Sequence, residues 1–214
     1  MNPHRTRIKI CGLRDAAMAR VAAEAGADAV GIVFHSASPR HASLQEAAAV
    51  AGSLPAFVQA VGLFVNAPEA RVREILAAVP LSLLQFHGDE EPGFCARFGL
   101  PWLKAVRVGP GTDLLECARH FSLATALLLD ASVPGERGGT GATFDWSLVP
   151  REIASRIVLS GGLHPGNVGA AVSALRPWAV DVSSGVESSR GVKDAALIQQ
   201  FVRSVKDADA RTAC

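Results

Sequence analysis

The chain alternates eight times between a short run of β-branched and apolar residues and a longer, alanine-rich stretch with helical spacing. The short runs cover residues 7–11, 28–34, 58–65, 82–86, 102–107, 125–130, 156–160 and 179–183. They start roughly 20 to 31 residues apart, a cadence that suits parallel strands joined by crossover helices and is too long for hairpins. Eight such units predict a single α/β domain, a (β/α)8 TIM barrel. At 214 residues the chain lies near the short end of the roughly 200 to 400 residues of that fold, which leaves little room for a second domain. The barrel is expected over residues 1–206 and a flexible, polar tail over 207–214.

The stretches 15–25, 44–54, 68–79, 112–121 and 194–205 place apolar residues three and four apart and read as outer helices of the barrel. Pro68 suits a first helical turn, and Gly26 and Gly99 sit where helices should stop. A doubly wound open sheet is the competing topology, but it calls for GxGxxG after the first strand, where the chain reads Cys11, Gly12, Leu13. A Walker lysine pattern is absent as well.

Composition narrows the function. With 21 Lys and Arg against 20 Asp and Glu, and no basic run, the chain lacks the electrostatic footprint of a nucleic-acid binder. Apolar stretches are interrupted well before the roughly 20 residues that span a bilayer, and residues 1–6 carry no signal-peptide core, so no membrane role is expected. Cys11, Cys95, Cys117 and Cys214 are widely and irregularly spaced, which indicates neither a disulfide framework nor a zinc site and suits a reducing, cytoplasmic setting. The six histidines form no HxH or HxxxH pair, and no bound metal is expected.

Barrel enzymes carry their chemistry where strands end and βα loops begin. Strand alternation turns Lys9 and Cys11 inward and Ile8 and Ile10 toward the helices. Cys11 then lies at the mouth, one layer above a lysine whose charge favours the thiolate, as a general base needs; the same position also suits an inert buried thiol. Asp130 ends an otherwise apolar strand, where desolvation favours the protonated form that a general acid must hold, although an Asp there can equally cap a turn. SGG (160–162) and SSG (183–185) follow the seventh and eighth strands, where barrels commonly bind phosphate through bare backbone N–H groups, and point to a phosphorylated substrate. Arg40, beyond Pro39, can grip a carboxylate with two parallel hydrogen bonds. The stretch 135–141 reads as a flexible lid anchored by Phe144 to Trp146, with Asp145 a candidate helix cap.

Taken in order, KICGL (9–13), DAVGIVF (28–34), SPR (38–40), QFHGD (85–89), LLLDA (127–131), GGTGATFDW (138–146), LSGGL (159–163) and VDVSSGVE (180–187) closely resemble the phosphoribosylanthranilate isomerases of tryptophan biosynthesis, over essentially the whole chain. The resemblance implies a cofactor-free Amadori rearrangement of a small phosphoribosyl substrate, N-(5'-phosphoribosyl)anthranilate. By similarity, Asp130 would protonate the furanose oxygen and Cys11 would remove the C2' proton. Arg40 would hold the anthranilate carboxylate, and Gly161, Gly162, Ser184 and Gly185 the phosphate. His87 and Asp181 would line the site, without an assigned proton-transfer role. Two positions depart from the pattern: Ala142 stands where relatives often carry lysine, and Phe86 where leucine is common. A histidine-pathway isomerase that performs the same chemistry resembles a two-aspartate machine, which Cys11 argues against. A metal-dependent sugar-phosphate epimerase would need a His and carboxylate cluster that the sequence lacks. A phosphate-binding scaffold without turnover fits poorly with an intact Cys11 and Asp130. The oligomer is expected to be a monomer or a homodimer.

Overall fold

The computed structural model describes residues 5–131 and 143–212. Eight strands form a closed parallel barrel in chain order: β1 (Arg7–Cys11), β2 (Ala29–Val33), β3 (Gln59–Phe64), β4 (Leu83–Phe86), β5 (Trp102–Val108), β6 (Ala126–Ala131), β7 (Ile157–Leu159) and β8 (Ala179–Val182). Every strand end falls within one residue of the sequence expectation. The barrel closes by parallel pairing of β8 with β1, from Arg7 against Ala179 to Ile10 against Val182. Helices α1 (Ala16–Ala25), α2 (Leu44–Gly52), α3 (Glu69–Ala78), α4 (Pro92–Cys95), α5 (Leu114–His120), α6 (Arg151–Ala154), α7 (Val168–Leu175) and α8 (Ala195–Thr212) follow the strands in turn. The helical stretches predicted from the sequence do not include α4, α6 or α7; the four-residue α4 and α6 are too short to show a helical period. A two-stranded hairpin, β9 (Glu187–Ser189) with β10 (Val192–Lys193), lies between β8 and α8 and was likewise not anticipated.

Burial on both faces explains the uninterrupted apolar strands. Ile8, Ile10, Val30, Ile32, Phe86 and Val182 face the helix ring, whereas Val61, Leu83, Leu103, Leu128, Val158 and Ala179 fill the barrel interior. Phe86, at the position where leucine is common in the family, is fully buried on the helix side against Phe64, Phe94, Phe98 and Trp102 and points away from the mouth. The two-residue alternation that sends these side chains outward sends Cys11, Gln85, Asp130, Ser160 and Asp181 inward.

Local signals set the helix ends. Asp15 caps α1 by accepting from the N–H groups of Ala17 and Met18, and Gly26 stops the helix at φ 113°. Asp145 caps the short 3-10 turn Trp146–Leu148, as expected. The expected frayed tail is corrected: α8 continues over Asp207–Thr212. Thr6 donates from its N–H and its hydroxyl to the Asp209 carboxylate, at 2.8 and 2.7 Å, and so ties this last helix to the chain just ahead of β1. The proposed lid at 135–141 and Ala142 lie outside the described residues. No helix among the described residues is long and apolar enough to cross a membrane.

Candidate active site

A cleft of about 390 Å³ opens at the C-terminal ends of the strands. Cys11, Arg40, His87, Asp130, Gly161, Gly162, Asp181 and Ser184 all line it. Gly185 lies behind the wall, in the 3-10 turn Ser184–Val186, where an added Cβ would strike the Leu163 carbonyl. Val33, Leu63 and Val65 form an apolar wall on the β2–β3 side; the glycines and serines of the β7 and β8 loops form the polar one.

Asp130 is 6% exposed. Its Oδ1 accepts from the Ala131 N–H at 3.0 Å and its Oδ2 lies 3.2 Å from His87 Nε2. Gln85 donates from Nε2 to His87 Nδ1 at 3.0 Å, which leaves the ring's Nε2–H to face Asp130. The Asp130 carboxyl therefore sits at the end of a Gln85–His87–Asp130 chain that crosses from β4 to β6. Sequence reasoning put His87 in the site but missed this contact, which joins residues 43 apart. Gly161 runs under the acid at φ +82°, and a Cβ there would come within 2.6 Å of the Ala131 nitrogen; this close approach requires glycine.

Cys11 is 4% exposed. Lys9 favours the Cys11 thiolate, as expected, but does not set the balance. Burial, the largest influence, pushes the Cys11 thiol above its ordinary value; Lys9 pulls it down, but Asp181 pushes it up again. Lys9 is committed to Asp181, with Nζ 2.7 Å from Oδ1. Although burial alone would lower it, that carboxylate together with Cys11 holds the Lys9 ammonium above its usual value.

Arg40 already grips a carboxylate within the chain. It is buried, and one edge of its guanidinium is already paired with Glu187, Nε to Oε1 at 2.6 Å and Nη2 to Oε2 at 2.9 Å. Two of its five donors are engaged there, and among the described residues the other three have no partner. Glu187 also accepts from Lys193 Nζ at 2.7 Å and from the Gly191 N–H at 3.0 Å. Against a burial effect that would raise it, these bonds from Arg40, Lys193 and Gly191 hold the Glu187 carboxyl at about 2. The hairpin thus braces the β2 loop. The residue stood within a motif read from the sequence, but nothing local revealed a partner 147 positions away.

Because Glu187 ionises well below the ordinary glutamate value of about 4.3, its contribution to stability is present above that value and is lost as the pH falls through 2. Glu187→Gln is expected to destabilise the fold at pH 7 by about 1 to 3 kcal/mol. The gap from the parent should close between about pH 4 and pH 2, measured by urea unfolding at stepped pH. A gap that stays constant would remove the charge from the explanation.

The family model for N-(5'phosphoribosyl)anthranilate (PRA) isomerase matches residues 8–204. The chain belongs to the phosphoribosylanthranilate isomerase family. It is an enzyme of the intramolecular aldose–ketose isomerase class. Among its relatives, the N-(5'-phosphoribosyl)anthranilate isomerase of Thiobacillus denitrificans is 57% identical over 200 residues, which cover 94% of this chain and 98% of that protein. The Leptothrix cholodnii isomerase is 55% identical over 212 residues, covering 99% and 96%. The crystal structure of the Thermotoga maritima isomerase is similar at a TM-score of 0.85 and 38% identity, covering 94% of this chain and 99% of that one. A phosphoribosylanthranilate isomerase solved in complex with reduced 1-(o-carboxyphenylamino)-1-deoxyribulose 5-phosphate is similar at a TM-score of 0.82 and 37% identity, with the same coverage.

Proposed function

We propose that this chain converts N-(5'-phosphoribosyl)anthranilate to 1-(2-carboxyphenylamino)-1-deoxyribulose 5-phosphate, the third step of the tryptophan branch from chorismate, with Asp130 as general acid and Cys11 as general base. The observation that carries the reading is the convergence of a buried carboxyl and a buried thiol on one cleft, between an arginine at one end and glycine-rich loops at the other.

Asp130 gives its proton to the furanose ring oxygen. The C1'–O bond breaks, and the anilino nitrogen supplies the electron pair that makes the iminium. The C2' proton is now acidic, and the Cys11 thiolate removes it, leaving an enolamine. Proton balance then returns the thiol proton to C1', while the C2' hydroxyl gives its proton to the Asp130 carboxylate; the product is the ketose, and both groups are reset. The iminium is the electron sink, so the route calls for no cofactor. His87 acts as a positioning residue: its Nε2–H supports Asp130 as the carboxylate forms. The free N–H groups of Arg40 receive the anthranilate carboxylate, the Val33–Leu63–Val65 wall takes the aryl ring, and the N–H groups of the β7 and β8 loops take the phosphate.

All of these residues come from one chain, so a monomer and a homodimer serve equally, and a reducing cytoplasm keeps the thiol free. The test is loss of fluorescence from freshly generated phosphoribosylanthranilate on addition of the purified chain in EDTA. Turnover is expected. A folded chain that leaves the signal unchanged would overturn the assignment in favour of a phosphosugar-binding barrel with another substrate.

A further inference from the structure

Lys9 and Asp181 form a salt bridge deep inside the barrel, 2.7 Å long, with side chains only 5% and 6% exposed. It joins the first strand to the last. Ser160 adds a hydrogen bond from Oγ to Asp181 Oδ2 at 3.3 Å. Room for the pair beside Cys11 comes from Gly31, directly across the β1–β2 ladder. A Cβ at that position would lie 2.7 Å from Cys11 Sγ and 3.1 Å from Lys9 Nζ. The other charge felt by the thiol is Lys193 of the hairpin. That ammonium is also spoken for, by Glu187 at 2.7 Å and by the Ser183 carbonyl at 2.8 Å. From β2 and β3 the thiol meets Val33 and Leu63, which carry no charge.

The cations around Cys11 are therefore each paired with a carboxylate, which offsets part of the pull that Lys9 exerts on the thiol. A lone buried ammonium would strongly favour a neighbouring thiolate, whereas an ammonium closed onto a carboxylate presents little net charge. We infer that Asp181 is a positioning residue for the base step: by closing on Lys9 it cancels that charge and stores Cys11 as a thiol while the site is empty. The inference rests on the reading of Cys11 as the base. It separates two functions that a lysine beside a cysteine would otherwise merge. Lys9 favours negative charge on sulfur and Asp181 offsets it, so the free enzyme holds a thiol that releases its proton to solvent before the base step and is guarded until then from alkylating and oxidising agents. Burial, which holds the thiol above its ordinary value, acts in the same direction.

The experiment is the pH dependence of Cys11 alkylation by iodoacetamide in the full chain without substrate, read by peptide mass spectrometry, with Cys95 and Cys117 as internal references. Asp181→Asn is expected to move the midpoint down by about one pH unit or more, and Lys9→Met to move it up. The apolar replacement of the whole pair, Lys9→Met with Asp181→Leu, removes both charges at once and should leave the midpoint within about half a unit of the parent. Such replacements are tolerated by many folds, so the double variant keeps the test open if the asparagine variant does not fold. A midpoint unmoved or raised by Asp181→Asn, or displaced by a full unit in the double variant, would overturn the inference. The readout needs no turnover. An inactive parent with the predicted thiol shifts would sink the isomerase reading alone, and an active parent without them would sink only this one.

Discussion

Cys11→Ser and Asp130→Asn are each expected to lower kcat/KM for phosphoribosylanthranilate by at least about 10² to 10⁴-fold, the range a well-placed acid or base supplies. Affinity for a reduced, unreactive product analogue should stay within a few-fold of the parent. Serine keeps the size of the side chain but is a far poorer base at neutral pH. Asparagine keeps one acceptor oxygen, enough for either the Ala131 N–H or the His87 Nε2–H, and has no carboxyl proton to give. Steady-state fluorescence gives the first quantity and calorimetric titration the second. Because the two residues complete one proton cycle, the double variant should be little worse than either single one. Affinity lost with the fold intact would mean that these groups hold the ligand and do not move its protons.

Glu90→Gln is the second large effect, and its target is stability. Lys104 points out of the barrel wall into the helix layer, where its Nζ meets Glu90 Oε2 at 3.0 Å and the Gly88 carbonyl at 2.6 Å, with side chains 5% and 3% exposed. Glu90 also accepts from the N–H groups of Asn66 and Gly88, at 2.7 and 2.9 Å. One buried carboxylate thereby clamps the β3 loop, the β4 loop and β5. Neutralising it leaves a buried ammonium without its counter-charge, a loss of about 3 to 5 kcal/mol. For a domain of this size the melting temperature should fall by on the order of 10 °C, measured by calorimetry. Lys104→Met added to Glu90→Leu should recover only part of the loss, since it removes the unpaired ammonium but leaves the Asn66 and Gly88 N–H groups without their acceptor. KM should rise in the single variant, because Gly88 directly follows His87 in the chain.

The sequence spoke clearly wherever a signal was local and repeated. Eight doubly buried strands leave eight apolar runs, and the parity of each run tells which side chain turns inward, so Cys11, Asp130 and Asp181 were readable as mouth residues. Pairs across the barrel were not readable. Lys9 looked like a free cation because Asp181 lies 172 residues on, and Arg40 looked like a free fork because Glu187 lies 147 residues on. Gly31 appeared as one more small residue in a strand, and only the geometry shows that it makes space for the thiol and the ammonium together. The last turns of α8 are polar and alanine-rich, which reads as fraying, yet Asp209 fastens them to Thr6.

Closure of the barrel through β8 and β1 also sets an order in time. On a ribosome that adds about 5 to 20 residues each second, β1 waits on the order of ten seconds or longer before its second neighbour exists. During that interval one edge of the first strand is open to pairing with the wrong partner, and Lys9 has no counter-ion. The Lys9–Asp181 bond is made by the same event that seals the sheet. A nascent chain therefore cannot hold a finished catalytic centre, and competence arrives in a single late step of folding.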